Sequence, residues 1–135
     1  MKYMDVNLTQ SSRRQACHSF LQALGDGDLD AATACFARDA CLITPDATAV
    51  GGRERIRSVL AQLIARHTEI RVDFSNILIS GDVALACELW MIRCDGIEGS
   101  RFEQASAPML VLRQVEGEWK LAIAAFWGWG RLGGS

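Results

Sequence analysis

Hydrophobic positions along this chain change period once, and the change divides it into a helical part and a strand part. From Thr9 or Ser11, hydroxyls suited to an N-cap, the apolar residues Ala16, Cys17, Phe20, Leu21 and Leu24 follow a 3.6-residue period and predict an amphipathic helix. Gly25-Asp26-Gly27 ends it, because glycine tolerates the left-handed C-cap conformation. Asp28 then caps a second, short helix whose buried face is Leu29, Ala32 and Phe36. Cys41 to Thr44 reads as a first strand, broken at Pro45-Asp46, with Val50 closing a short hairpin before the Gly51-Gly52 turn. The clearest helix runs from about Arg53 to Arg66, with Ile56, Val59, Leu60, Leu63 and Ile64 on one face.

From Ile70 the period is two. Ile70, Val72 and Phe74 alternate, and the apolar phase then slips so that Ile77 and Ile79 continue it, which predicts a β-bulge near Ser75-Asn76. Val83 to Cys94 is a long strand, Arg101 to Val115 another, and Trp119 to Trp127 the last, separated by turns at Gly81-Asp82, Asp95 to Ser100 and Glu116-Gly117. Helices first and antiparallel strands afterwards make an α+β pattern. Residues 1–8 show no period and read as a flexible arm, 9–130 as one domain, and 131–135 as a loose tail.

The strands are apolar on both parities. Val83, Leu85, Cys87, Leu89 and Met91 alternate with Ala84, Ala86, Glu88, Trp90 and Ile92. A sheet with one wet face alternates polar and apolar residues. Helices cover only one face, so a second copy of the chain is expected on the other, giving a homodimer through the outer sheet face.

Composition narrows the functions. The chain has 135 residues, half of them hydrophobic, enough for one core. A formal net charge of −2 with no Lys/Arg run gives no nucleic-acid or membrane footprint. No apolar run is long enough to span a bilayer, and no secretory signal opens the chain. The five cysteines are odd in number, lack a C-x-x-C pair and sit among apolar neighbours, so they read as free thiols in a reducing, cytoplasmic setting. His18 and His67 lie far apart, and neither a metal nor a cofactor is expected.

Taken in order, the motifs Phe20-Leu21-x-Ala23-Leu24-x-x-Gly27-Asp28-Leu29-Asp30, Phe36-Ala37-x-Asp39-Ala40, Pro45-Asp46, Gly52-Arg53-Glu54-x-Ile56, Ala107-Pro108, Gly117-x-Trp119-Lys120 and Phe126-Trp127-Gly128 span most of the chain. This succession resembles the nuclear transport factor 2-like superfamily, in its SnoaL-like or ketosteroid isomerase-like branch. The resemblance implies a cone-shaped, cystatin-like α+β fold. Three N-terminal helices would pack on a strongly curved, mixed or antiparallel sheet that encloses an apolar pocket. It does not imply one activity, because such folds host many.

Carried over residue by residue, the resemblance removes the isomerase chemistry. The oxyanion-hole tyrosine's place on the first helix is Phe20, the base aspartate's place before Pro45 is Thr44, and the protonated acid's place after Pro108 is Leu110. None of these can act as a base of useful strength or as an acidic oxyanion donor, so no ketosteroid isomerase activity is expected. The His-Asp element that polyketide cyclases of this type often carry on the last strand is replaced by Ala122, Ile123, Ala124 and Ala125. The strand parity implied by the resemblance puts Phe20, Leu63, Leu85, Cys87, Leu89, Met91, Leu110, Leu112, Ile123 and Trp127 on the pocket side. It points Glu88 outward, towards a partner or an arginine such as Arg113. The remaining polar candidates for catalysis are Asp46, Thr44 and His18, with a turn residue, a packed threonine and an exposed helix histidine as their structural readings.

Three functions stay open. The domain binds an apolar small molecule without catalysis, or acts on a small metabolite through Asp46 and its neighbours, or serves only as a dimerisation domain.

Overall fold

The computed structural model describes residues 15–44 and 47–127. The N-terminal arm, the start of the first helix, Pro45-Asp46, Trp129 and the tail lie outside the described residues. Helix α1 covers 15–25 and buries Cys17, Phe20, Ala23 and Leu24. It closes on Gly27 at φ 75°, where the Asp28 N–H reaches the Ala23 carbonyl at 2.9 Å, a wrap that needs a residue free to adopt positive φ. The Asp28 carboxylate accepts the Ala31 N–H at 3.1 Å and so starts α2, Leu29–Ala34. Helix α3 runs Arg53–Ala65 and buries Ile56 and Leu60.

Seven strands form one mixed sheet: β1 Phe36–Ile43, β2 Ala49–Gly51, β3 Glu69–Ser80, β4 Val83–Asp95, β5 Arg101–Ser106, β6 Met109–Val115 and β7 Glu118–Ala125. The order is β2-β1-β7-β6-β4-β3, with β5 also paired to β4, and β1 running parallel to β7. The fold is therefore the α+β one that the element order predicts and the cystatin-like one that the family resemblance implies. The strong curvature expected of the sheet is not seen.

Local departures have physical reasons. The strand expected at Cys41 begins at Phe36 instead, because Phe36 and Ala37 pack into the core beside β7 rather than closing the second helix. Arg38 and Asp39 interrupt the apolar pattern there and hid the strand. The bulge in β3 sits at Asp73, between Val72 and Phe74, not at Ser75-Asn76. The long strand expected over Arg101 to Val115 is two strands, split at Ala107-Pro108, since proline carries no N–H for a ladder. A second register shift skips Ala122 in β7, so Leu121 pairs inward with Leu112 while Ile123 pairs outward with Val111.

The core lies between the helices and the sheet's inner face. Phe20 stacks on Phe126 with centroids 5.4 Å apart, meets Phe36 edge-on at 5.4 Å, and Trp90 closes the cluster 5.7 Å from Phe126.

Candidate functional site

The inner parity of β4 is Ala84, Ala86, Glu88, Trp90, Ile92 and Cys94, all buried. This reverses the facing implied by the family resemblance. Leu85, Cys87, Leu89 and Met91 stand on the outer face, where Leu89 is 52% exposed. Ile123, at 45% exposure, joins them because the skipped residue Ala122 flips it. The inner face carries Ala84 and Ala86, and the bulkier Leu85 and Leu89 are left on the outer face. Phe20, Leu110 and Leu112 face inward but are fully packed in the core. The aromatic cluster around Phe20 thus occupies the interior where a deep pocket was expected.

Glu88 consequently points into the protein, 6% exposed, and not towards Arg113, which pairs with Asp39 at 2.7 Å. One carboxylate oxygen accepts the Trp90 indole N–H at 2.7 Å and the other accepts the Ser75 hydroxyl at 2.7 Å. Ser75 sits directly across the ladder from Glu88. Burial, and then the negative charge of Glu88, push the nearby Cys17 thiol up to about 12. All five cysteines are free, and Cys17 and Cys94 are buried.

Of several openings on the described surface, one lies at one end of the sheet, beside the C-terminal half of α3. A cleft of about 540 Å³ is bordered by Thr44 and Thr48 at the end of β1, by Val59, Gln62 and Leu63 on α3, and by Arg66 and Trp127. Leu63, Arg66 and Trp127 also border a recess of about 220 Å³ that reaches Thr68, Ile92, Cys94, Phe102 and Gln104. The lining is mixed, not the greasy wall expected. Thr44 exchanges two hydrogen bonds with the backbone of Thr48, each at 3.2 Å, so its hydroxyl ties the end of β1 to Thr48. His18 is exposed on α1 and borders neither opening, and Asp46 lies outside the described residues. His67, at φ 52° after α3, meets the Asp95 carboxylate at 2.6 Å on the surface.

Arg66 is the residue that reading the sequence overlooked. Its Nε and Nη2 donate to the Asp95 carbonyl at 3.1 and 3.0 Å, and its own carbonyl accepts the Asp95 N–H at 2.8 Å. The two side-chain bonds fix the guanidinium at the shared edge of cleft and recess, and the third ties its backbone there. Val59, Gln62 or Leu63, and Arg66 follow helical spacing, so one turn-to-turn face of α3 was a readable signal.

An α+β sheet domain with an opening at one end, walled by its third helix, is a nuclear transport factor 2-like fold. Within that class the chain belongs to the SnoaL-like domain family, whose sequence model matches residues 18–122. A candidate dehydratase of the nuclear transport factor 2-like family from Streptomyces avermitilis is similar at TM-score 0.79 and 16% identity, covering 88% of this chain and 95% of that one. A conserved protein from Planctomyces limnophilus is similar at TM-score 0.78 and 23% identity, covering 88% and 94%. A ketosteroid isomerase-like protein from Erwinia carotovora atroseptica reaches TM-score 0.73 at 18% identity, covering 85% and 92%. At these identities the likeness is one of fold. No curated protein matches the chain. Among the described residues no helix is long and apolar enough to cross a membrane.

Proposed function

We propose that this domain binds a small amphipathic molecule, without catalysing a reaction on it, in the cleft between α3 and the ends of β1 and β7. The observation carrying the reading is that cleft and recess adjoin at Leu63, Arg66 and Trp127, with a lining of apolar side chains and a few polar groups. Among the described residues that border it, none is a carboxylate or an imidazole, the commonest general bases and acids. The alternative of a metabolite enzyme rests on Asp46. The test is a thermal-shift screen of the whole chain against steroids, fatty acids, terpenes and aromatic polyketides. Hits should stabilise the wild type and lose their effect in Val59→Trp, which fills the cleft. If no compound shifts the wild type, the binding reading fails and the dimerisation reading gains. Turnover of a hit, abolished by Asp46→Asn, would replace binding with catalysis.

The domain is also proposed to act as a homodimer through the outer sheet face. One apolar row crosses five strands there, running Cys41, Ile123, Val111, Leu85 and Leu78 through successive ladder pairs, and the Leu89–Phe74 pair extends it. Leu78 and Phe74 are 55% and 54% exposed, and contiguous apolar surface of this kind marks an association site. The five free cysteines support a reducing compartment such as the cytoplasm.

A further inference from the structure

The cleft described above has one charged group fixed at its edge and one polar group left unused inside it. Arg66 donates to a main-chain carbonyl of Asp95 and, among the described residues, forms an ion pair with no carboxylate. The Asp95 carboxylate beside it is occupied by His67 at 2.6 Å and Arg101 at 2.6 Å. Thr68, two residues on, is 4% exposed and borders the recess, and its Oγ1 has no hydrogen-bond partner among the described residues. A buried hydroxyl without a partner is costly and calls for an occupant that supplies one. Between the two, the recess is walled by Ile92, Phe102 and Trp127.

We infer that the cleft selects an anionic amphiphile, a molecule with a carboxylate and an apolar or aromatic body. The carboxylate would accept from the remaining guanidinium N–H groups of Arg66 and from the Thr68 hydroxyl, while the body lies along Leu63, Trp127 and Phe102. This deepens the binding reading and rests on it. The opposing field is small. The carbonyls at the C-terminus of α3 already accept N–H groups, that of Leu63 from Thr68 at 3.1 Å and that of Ile64 from His67 at 2.9 Å. Little of the helix's negative end is therefore left bare beside a full guanidinium charge. The Arg66 head needs little ordering, because two of its donors are already anchored.

The experiment compares matched acids and amides. Decanoic acid with decanamide, and 4-phenylbutyric acid with 4-phenylbutanamide, are titrated into the full chain by calorimetry and by amide chemical-shift mapping at low and high salt. The wild type should prefer each acid over its amide by about tenfold, with shifts at Arg66 and Thr68 and a preference that shrinks with salt. Arg66→Met should erase the preference, so that acid and amide bind alike. Thr68→Val should keep the preference and weaken the acid several-fold. Equal binding of acid and amide to the wild type overturns the inference and leaves the cleft reading standing. So does an acid preference that survives Arg66→Met. Failure of all four probes to bind, or binding that Val59→Trp does not disturb, sinks the cleft reading together with the inference. Because the wild-type comparison and shift map need no variant, poor folding of Arg66→Met does not rescue the idea.

Discussion

Glu88 offers the sharpest test of how the interior is arranged. Its two oxygens each receive one donor, the Trp90 indole and the Ser75 hydroxyl, both at 2.7 Å. Replacing it by alanine leaves the Trp90 N–H, on a side chain only 2% exposed, without an acceptor. An orphaned buried donor costs about 1–3 kcal/mol, and the lost methylene packing adds about 1 kcal/mol. Ser75 is half-buried, and its hydroxyl can rotate towards another acceptor, so it adds little. Glu88→Ala should therefore lose about 2–4 kcal/mol, or about 8–15 °C in Tm for a chain of this size. Glu88→Gln has the same shape. Its carbonyl still accepts from Trp90, and its amide donates to Ser75, whose hydroxyl turns to accept. The exchange weakens two hydrogen bonds but removes the desolvation cost of a charge. Glu88→Gln should fall within about 1 kcal/mol of wild type, on either side. Urea unfolding followed by circular dichroism measures both variants. Should Glu88→Gln prove as damaging as Glu88→Ala, the negative charge itself would be required, and the two-donor account of this residue would be wrong.

Other expectations follow from the same geometry. Leu89→Arg and Ile123→Arg should convert a dimer into folded monomers in light scattering, and a wild type already monomeric at micromolar concentration would refute the outer-face proposal. Cys17 should resist alkylation at pH 8 until the chain unfolds, because burial and Glu88 hold its thiol up at about 12. A raised native value keeps this group's stabilisation intact below its ordinary value of 9.0 and loses it as pH climbs from there towards 12. Cys17→Ala should flatten that alkaline decline in urea titrations at pH 8–10.5, and an unchanged slope would contradict it. The purified protein should not convert a 5-ene-3-ketosteroid, since Phe20 and Leu110 are packed core residues and the Thr44 hydroxyl ties the end of β1 to Thr48.

The order of elements was legible because helical and strand periods depend on local spacing alone. Facing was not, and two backbone irregularities show why. Along β7, Leu121 and Ile123 share a parity and would share a face on a regular strand, yet skipping Ala122 sends one into the core and the other to solvent. Along β3, the slip at Asp73 sets Val72 opposite the inward Trp90 and Phe74 opposite the outward Leu89. One inserted residue reverses every later side chain. In β4 no bulge intervenes, but both parities are apolar, so alternation alone does not say that the one with Ala84, Ala86, Glu88 and Trp90 is buried. The parity carried over from the family resemblance puts Leu85, Cys87, Leu89 and Met91 inward and turns Glu88 outward.

The same reversal moves the site. With the outer parity assigned to the pocket, the interior appears roomy and lined by leucines. In the fold, Phe20, Phe36, Trp90 and Phe126 fill that interior through mutual ring contacts, and Phe20 is the residue that stands in the tyrosine's place. By stacking on Phe126, the Phe20 ring helps to plug that interior. What stays open is the margin beyond the plug, where the last turn of α3 ends in Arg66 and the chain turns past Thr68 into β3. The filled interior and the open margin at Arg66 thus go together, and the binding proposed at that margin needs no polar group in the interior.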